Sequence, residues 1–536
     1  MKNISTLLIG IVIAAFVFSA GSAKANVYAT NIKFNGGTNN VTLAGGNVQI
    51  SYILNEAATA GVSLEIFSGT TVVRTISIAS GNPGTVRGTN SVSWDGKNGI
   101  GNNVPSGIYS VRITSAATGY TVWTQISNDA DPGNYVWEPR GIAVNQNTNS
   151  PFYGRVFVSN SSANPGGIIL PGDAVGILKI NADGSFADDG GFSTGGYSWA
   201  GDFFSPWKME ISTDDKLYVN DWTGNGIILA FDQVISTSYL TVLRDDNNPN
   251  GVANMTGPFI TGAGTNTKVF MADINYTTPA AGTGITRWGV GVGGTCAPSD
   301  VGTKVVQSLF GSDLNLYPYD VAVDKNGKIY TIQFRANAGD SAYRVMRFPA
   351  YDEEVGLPAT VADWKVGSGD DTLRRAFGIA VDPTATYAAV ALRGAVANDG
   401  GIALFNADTG ELLVRDMAPL EDHRDVAWDN VGNLYAADNA ASYLRVYSPP
   451  GTNQATTVAL PTISVIDSLT LSAPGWSAGQ FQFTLNGQAS QTYIIQSSTN
   501  LIAWNPVATN SDPTAVRIIN LPAPDSKSFY RAVVGP

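Results

Sequence analysis

Four aspartates recur at related points of a repeated sequence pattern and could bind a cation. Asp320 and Asp425 each precede a short apolar run, whereas Asp273 and Asp438 each end the second apolar run of their own repeat. Carboxylate oxygens are the ligands that a hard cation such as Ca²⁺ prefers, and a bound cation can polarise a carbonyl group. These four residues are therefore the candidate metal ligands, and Ca²⁺ is the candidate ion.

Three further polar residues belong to the same candidate site. Lys208 stands in its repeat where Asp320 and Asp425 stand in theirs, Asp221 ends the following run, and His423 is the single histidine. Lys208 could contact a ligand or neutralise a carboxylate, and His423 could act as a general base. Aspartates at such points also commonly hydrogen-bond the backbone that links neighbouring sheets. This backbone role, and a structural role for His423, are the favoured interpretations.

Aromatic side chains are concentrated near the second copy of the pattern. They are Trp199, Phe203, Phe204, Trp207 and Trp222, and Asp202 and Asp221 lie among them. An aromatic ring can stack on a sugar ring, and a neighbouring carboxylate can accept hydrogen bonds from hydroxyl groups. Trp207, Trp222 and Asp221 are therefore candidate carbohydrate-binding residues. The favoured alternative is that the rings pack inside the core.

The elements that would position these residues are short strands in a degenerate repeat. Each copy has an apolar run, a D-x-x-G turn or a related turn, and a second apolar run. The six copies begin near residues 139, 206, 258, 318, 377 and 424. Their spacing suits blades of four strands, which take about 40–50 residues each. Residues 130–462 are therefore predicted to form a six-bladed β-propeller, and a β-solenoid is disfavoured because its coils are shorter.

Two local patterns carry a resemblance to known propellers. The run G-I-A-V-D at 378–382 and the run G-x-I-Y at 327–330 resemble the NHL-type propeller family. Six-bladed propellers of the gluconolactonase type hold a divalent cation near the candidate positions, and this second resemblance is what implies a metal-dependent activity. The chain lacks the N-G-x-x-W-S motif and the E-G-P strand of that family.

Strand patterns of a different kind flank the repeat. Residues 26–127 include W-D-G-K at 94–97 and P-S-G-x-Y-x-V-R at 105–112. They resemble the Ig-like domain of flagellar hook-capping proteins, a β-sandwich whose core Trp94 would fill. Residues 466–536 resemble a small β-sandwich of secreted bacterial proteins, and 449–453 are interpreted as a linker. The predicted fold class is all-β, a six-bladed propeller flanked by two Ig-like or β-sandwich domains.

The first residues and the composition indicate an exported acidic protein. Lys2, an apolar run at 7–20 and A-K-A at 23–25 predict a signal peptide over residues 1–25, and no later run could span a membrane. The 43 acidic and 31 basic residues disfavour nucleic acid as a partner. One Cys and one His exclude an intrachain disulfide and a Cys/His zinc cluster.

Together these patterns predict a secreted or cell-surface binding protein, without a catalytic role, that presents a propeller face to a glycan, polymer or protein. One alternative is a metal-dependent hydrolase or lyase that acts at the propeller axis. Several carboxylates converging there would favour this alternative, and a plugged channel would oppose it. The other alternative is a structural component of the cell surface or matrix.

Overall fold

Strands make up nearly all of the regular structure, which confirms the all-β class. The computed structural model describes residues 26–535 with gaps at 189, 200–203, 223–226, 245–254, 274–283, 298–299, 309–312, 315–317, 335–340, 395–399, 416, 467–468, 488–491, 512–515 and 523–527. The predicted signal peptide, Asp202 and Phe203 lie outside the described residues. The described part contains no α-helix and has 3-10 helices at Pro132–Asn134, Pro171–Asp173 and Gly264–Asn266. It likewise offers no helix with the length and apolar character needed to cross a bilayer.

The N-terminal region is a β-sandwich built on two sheets. Its strands are β1 Ala29–Phe34, β2 Val41–Leu43, β3 Val48–Leu54, β4 Gly61–Ser68, β5 Thr71–Ile78, β6 Gly88–Trp94 and β7 Gly107–Tyr120. One sheet has the order β1-β3-β6, and β7, β4 and β5 are neighbours in the other. Trp94 is buried in the core between them, with its ring 5.5 Å from that of Tyr109. The sequence predicts this role for Trp94.

Six sheets of four antiparallel strands follow the short strand β8 Thr124–Gln125. The first two sheets contain β9 Pro139–Val144, β10 Val156–Asn160, β11 Gly176–Ile180, β12 Phe192–Ser193, β13 Met209–Ile211, β14 Leu217–Asp221, β15 Ile227–Phe231 and β16 Leu240–Leu243. The next two contain β17 Met255–Thr261, β18 Lys268–Asp273, β19 Gly284–Gly289, β20 Thr303–Gln307, β21 Pro318–Val323, β22 Ile329–Gln333, β23 Val345–Phe348 and β24 Trp364–Val366. The last two contain β25 Ala376–Val381, β26 Tyr387–Leu392, β27 Gly401–Asn406, β28 Leu412–Val414, β29 His423–Trp428, β30 Leu434–Asp438 and β31 Tyr443–Ser448, with β8 as the final strand.

The apolar runs form strands that are buried on both faces, because each sheet packs between two others. The first strand of each sheet contacts the first strand of the next, and β29 contacts β9. Hydrophobic clusters lie between successive sheets, and one cluster joins residues of the last sheet to residues of the first. The contacts among the six sheets therefore follow a cyclic order.

The last sheet is completed by a strand from the beginning of the repeat region. Gln125 of β8 pairs with Tyr447 of β31, and Thr124 pairs with Ser448. The adjacent Trp123 packs edge-on against Trp428, with ring centroids 6.0 Å apart. This pairing ties the two ends of the six-sheet region to each other.

The chain then returns to the N-terminal sandwich, which corrects the interpretation of 449–453 as a linker. The strands β32 Gly451–Val458 and β33 Ile463–Val465 both pair antiparallel with β7, and β33 also pairs with β2. The apolar side chain of Ile463 is fully buried in the sandwich core, which favours this placement. The predicted propeller range 130–462 therefore extends past the last strand of the six sheets, which ends at residue 448.

The C-terminal region forms two three-stranded sheets. Its strands are β34 Thr470–Ser477, β35 Gln480–Asn486, β36 Tyr493–Ser498, β37 Asn505–Asn510, β38 Val516–Leu521 and β39 Phe529–Val534. The orders are β34-β35-β38 and β37-β36-β39. Phe483 and Leu485 of one sheet and Tyr493 and Ile495 of the other share a hydrophobic core.

Candidate functional site

Six equivalent positions of the repeat meet where the first strands of the sheets come together. In chain order they hold Gly141, Lys208, Gly257, Asp320, Gly378 and Asp425. Small and charged residues alternate, so the glycines leave room for the charged side chains. A Cβ atom on Gly257 would lie 2.0 Å from Oδ1 of Asp320, and one on Gly378 would lie 2.7 Å from Oδ1 of Asp425. Any larger residue at either position would displace a carboxylate.

Lys208, Asp320 and Asp425 form a buried ion cluster, here called the charged triad. Lys208 Nζ donates to Asp320 Oδ2 at 2.6 Å and to Asp425 Oδ1 at 2.8 Å. The Lys208 side chain is only 2% exposed. Burial alone would lower the pKa of Lys208, but the two carboxylates outweigh burial and raise it. The ammonium group is therefore charged and lies between both acids.

The two aspartates of the triad also link neighbouring sheets. Asp320 Oδ2 accepts a hydrogen bond from the backbone N–H of Ile379 at 2.9 Å, and Asp425 Oδ2 accepts one from Ile142 at 2.9 Å. The backbone N–H of Val321 donates to Asp320 Oδ1 at 3.0 Å. All four carboxylate oxygens are thus hydrogen-bonded, in the backbone role that the sequence favours for these residues.

Glu210 is a fourth charged residue at the same place and was not singled out from the sequence. It follows Lys208 by two positions on the first strand of the second sheet. Burial raises its pKa well above the ordinary value, and the charges of Asp425 and Asp320 raise it further. One ammonium group cannot balance three carboxylates, so ionisation of Glu210 is disfavoured.

The candidate metal ligands do not form one cation site. Asp320 and Asp425 are brought together, but an ammonium group lies between them. Asp438 is fully buried and pairs with Arg445, and burial raises the pKa of Asp273 to about 6 against the opposing charge of Lys304. Among the described residues, no three His, Cys, Asp or Glu side chains are grouped so as to hold a metal ion. The donor set therefore does not fit Ca²⁺.

His423 is fully buried at the start of β29. Its Nε2 atom lies 3.7 Å from Asp438 Oδ2, and its Nδ1 atom lies 3.2 Å from the carbonyl oxygen of Glu421. Burial lowers the pKa of His423 to about 4, so the ring is neutral near pH 7. Because the ring has no exposed surface, its position fits a structural role better than that of a general base.

The aromatic residues near the second sheet divide into buried and accessible ones. Trp207 is 1% exposed and donates from Nε1 to the carbonyl oxygen of Thr256 at 2.7 Å. Trp222 is half-buried and Phe204 is 44% exposed, and their ring centroids lie 4.9 Å apart. Asp221 is buried and accepts a hydrogen bond from the hydroxyl of Tyr197. Trp207 and Asp221 therefore belong to the interior, whereas Trp222 and Phe204 can reach a ligand.

These rings continue into a larger group that carries arginines, here called the aromatic–arginine patch. Its members are Phe204, Trp207, Trp222, Tyr319 and Phe377 with Arg140, Arg393 and Arg424. Trp207, Tyr319, Phe377 and Arg424 each precede a residue of the ring of six equivalent positions. The patch therefore lies directly beside the charged triad.

The arginines of the patch were missed by sequence reasoning. Arg140 and Arg424 occupy the repeat position that Trp207 and Phe377 occupy in other copies. Alignment of the copies at this position would have revealed them. Arg393 comes just after β26, where the copies have no common residue, so the sequence contains no signal for it.

A separate pocket of about 300 Å³ lies where the N-terminal sandwich meets the first sheet. Its lining includes Asn31, Thr38, Ser150, Tyr153 and Thr457. None of the lining residues is charged. The pocket therefore offers neither the cationic nor the acidic groups that the aromatic–arginine patch and the charged triad supply.

One protein family matches part of the chain. Residues 37–119 match the family model of the FlgD Ig-like domain, which confirms the Ig-like interpretation of the N-terminal sandwich. No curated protein matches the chain.

The similarity to solved structures is slight. The "Calcium structure of Trichoderma reesei Carbohydrate-Active Enzymes Family AA12" has 12% identity and a TM-score of 0.38, covering 65% of this chain and 98% of that one. The WD40 β-propeller domain of Doa1 has 10% identity and a TM-score of 0.30, covering 79% of this chain and 97% of that one. A glycoside hydrolase has 11% identity and a TM-score of 0.28, covering 75% of this chain and 97% of that one. TM-scores this low carry no argument about the present chain.

Proposed function

We propose that the chain is an exported glycan-binding protein in which the six sheets are the blades of a β-propeller. In this arrangement the first strands line the propeller axis, the charged triad plugs it, and the aromatic–arginine patch surrounds one of its openings. The flanking sandwiches act as spacers or docking modules. Export rests on the predicted signal peptide over residues 1–25.

The cyclic order of contacts supports the propeller arrangement. Each sheet packs against the next, the last packs against the first, and β8 joins the two ends of the region by pairing with β31. Propellers arrange their blades in this way and leave only short edges exposed. The alternation of Gly and charged residues on the first strands also suits a narrow axis, since three large side chains need three small neighbours.

The accessible rings of Trp222 and Phe204 are the observation that carries the binding function. Their centroids are 4.9 Å apart, and Trp207 lies beneath both, at 4.6 Å from Trp222 and 6.0 Å from Phe204. A half-exposed ring supported by a buried ring forms a rigid apolar platform beside polar groups. Such a platform can stack on the apolar face of a sugar.

Chemistry at the axis is less well supported than binding. The oxygens of Asp320 and Asp425 already accept hydrogen bonds from Lys208 and from backbone N–H groups. A substrate carbonyl or a cation would have to displace these partners and leave buried groups unpaired. The convergence of Asp320, Asp425 and Glu210 favours the hydrolase or lyase alternative, but the Lys208 ammonium group that fills the space between the two aspartates opposes it.

The experiment is a glycan-binding screen with two tryptophan variants. Affinity electrophoresis of the mature protein in gels that contain neutral or acidic polysaccharides should reveal retardation by at least one of them. Trp222→Ala should weaken the retardation strongly, because removing one stacking ring costs about 1–3 kcal/mol. Trp476→Ala is the matched control, since Trp476 is 64% exposed but lies in the C-terminal sandwich. Retardation by no polysaccharide, or equal loss in both variants, would reject the proposal.

A further inference from the structure

The three arginines of the aromatic–arginine patch are only partly neutralised. Arg140 pairs with Glu138 at 2.7 Å, and Arg424 pairs with Asp422. The guanidinium of Arg393 has neither a hydrogen bond nor an ion pair with any residue in the described part of the chain. Three positive and two negative charges therefore meet at this place.

The arginines surround two rings that touch each other. Cζ of Arg424 lies 4.9 Å from the centroid of the Phe377 ring, and Cζ of Arg393 lies 5.8 Å from the same centroid. Cζ of Arg140 lies 5.7 Å from the Trp207 ring, which is 5.6 Å from that of Phe377. Cation–π contacts hold each guanidinium in place and leave N–H groups free to donate at the ring edges.

Glu138 and Asp422 offset this grouping of cations only in part, so a further anion would stabilise it. Arg140 is 7% exposed and Arg424 is 5% exposed, so water screens their mutual repulsion poorly. Burial and the charge of Arg140 lower the pKa of Arg424 to about 10, and Arg424 Nε is buried without a hydrogen-bond partner. A buried donor without a partner among like charges can donate a hydrogen bond to an anionic group. The chain as a whole has a net charge of −12, whereas this grouping has more positive than negative charges.

We propose that the aromatic–arginine patch binds an acidic saccharide, with a carboxylate or sulfate group held by Arg393 and Arg424 and a sugar ring stacked on Trp222. This inference rests on the proposed glycan-binding function and adds the charge of the ligand. A planar guanidinium donates two parallel hydrogen bonds to either anionic group. The buried rings of Tyr319 and Phe377, with centroids 4.6 Å apart, pack between the stacking ring and the arginines.

The test compares acidic and neutral saccharides on the mature full-length protein. Isothermal titration calorimetry would use oligogalacturonate as the carboxylate probe, sulfated dextran oligomers as the sulfate probe and dextran oligomers of equal length as the neutral probe. We expect at least one acidic probe to bind about tenfold more tightly than the neutral probe, as one charge-assisted contact provides. The stronger acidic probe identifies which anionic group the patch prefers. Increasing salt should weaken acidic binding and leave neutral binding unchanged.

One arginine variant and one tryptophan variant separate this inference from the function on which it rests. Arg393→Gln should remove the preference for the acidic probe and leave neutral binding intact, whereas Trp222→Ala should weaken both. Arg112→Gln is the control, because Arg112 is a surface arginine of the N-terminal sandwich that pairs with Glu65. Equal affinity for acidic and neutral probes would overturn the acidic preference but keep glycan binding. Tighter binding of a single-stranded nucleic acid homopolymer than of any saccharide, or no binding at all, would overturn both.

Discussion

Replacing Lys208 by methionine removes the single cation of the charged triad while keeping an unbranched side chain that is only one atom shorter. The change deletes two charge-assisted hydrogen bonds, at 2.6 and 2.8 Å, and leaves Asp320 and Asp425 buried without a counter-ion. Breaking a buried ion pair from one side costs about 3–5 kcal/mol. An aspartate left without its counter-ion can take up a proton instead. For a carboxyl group with an ordinary pKa of about 3.9, taking up a proton at pH 7 costs about 4 kcal/mol. This value is the upper limit of the expected loss of stability.

The expected shift in melting temperature follows from the size of the six-sheet region. An unfolding entropy of about 2.1 cal/mol/K per residue over roughly 320 residues amounts to about 0.7 kcal/mol/K. Lys208→Met should therefore lower the melting temperature of this region by about 4–6 °C. Differential scanning calorimetry at one scan rate would measure it, with the transitions of the sandwich domains as internal references.

Two further variants show whether the charge is the cause of the shift. Adding Asp320→Asn and Asp425→Asn to Lys208→Met should recover at least half of the loss, since neutral amides remove the uncompensated charge and keep an acceptor for the backbone. Lys325→Met, at an exposed turn position, should change nothing. A shift below about 1 °C for Lys208→Met, or a triple variant no more stable than the single one, would refute the ion-cluster reasoning.

Four other expectations concern the described structure. The pKa of Glu210 is raised in the folded state, so above about pH 4.3 the folded protein holds a proton that the unfolded chain has lost, and stability falls as pH rises. Glu210→Gln should make this fall in stability smaller, as measured by melting curves between pH 5 and 9. The pKa of His423 is lowered to about 4 in the folded state, so the protein loses stability as pH falls below about 6.5. The His423→Asn variant should lose less stability than the wild type between pH 7 and 4.5 in the same assay. Trp94→Ala should destabilise the N-terminal sandwich by about 3–5 kcal/mol in urea titrations, and an effect below about 1 kcal/mol would contradict its core position. Cysteines at Thr114 and Thr456, whose hydroxyl oxygens lie 3.0 Å apart, should form a disulfide on oxidation, detectable by a mobility shift on non-reducing gels; free thiols after oxidation would contradict the pairing of β7 with β32.

Local patterns made much of the strand structure predictable from the sequence. The apolar run at 321–323, the turn at 324–327 and the run at 329–332 lie next to each other in the chain, and they form β21, a turn and β22. The same holds for the other copies, because a hairpin is stabilised by residues close in sequence. Equivalent positions also follow from the repeat, which is why Lys208, Asp320 and Asp425 could be grouped before their contact was known.

Long-range pairing and charge balance were not predictable in the same way. β8 has two residues and no apolar run, so nothing in Thr124 or Gln125 indicates that the last sheet is their partner. Similarly, the polar alternation of β32 suits any half-buried strand and does not specify β7. The repeat pattern also does not show whether Lys208 contacts a ligand or an aspartate. The contact depends on distances between side chains that come from three different sheets.

The return of β32 to β7 determines how tension would pass through the chain. Gly451 pairs with Tyr120, so the chain leaves the sandwich for the six sheets and returns from them at adjacent points. The opposite end of this ladder is the pair of Val465 with Gly107. Val465 precedes the C-terminal region in the chain, and Gly107 follows the other strands of the sandwich. A pull on the chain from both sides would act on the pairs of β33 and β32 with β7, which would open one after another from that end. In the chain, the six sheets lie between Tyr120 and Gly451, at the end of the ladder that would open last. Load carried along the backbone would bypass them until every pair had separated, and only direct contacts such as those of Asn26 with Asn433 and of Tyr28 with Tyr153 would pass force to them earlier.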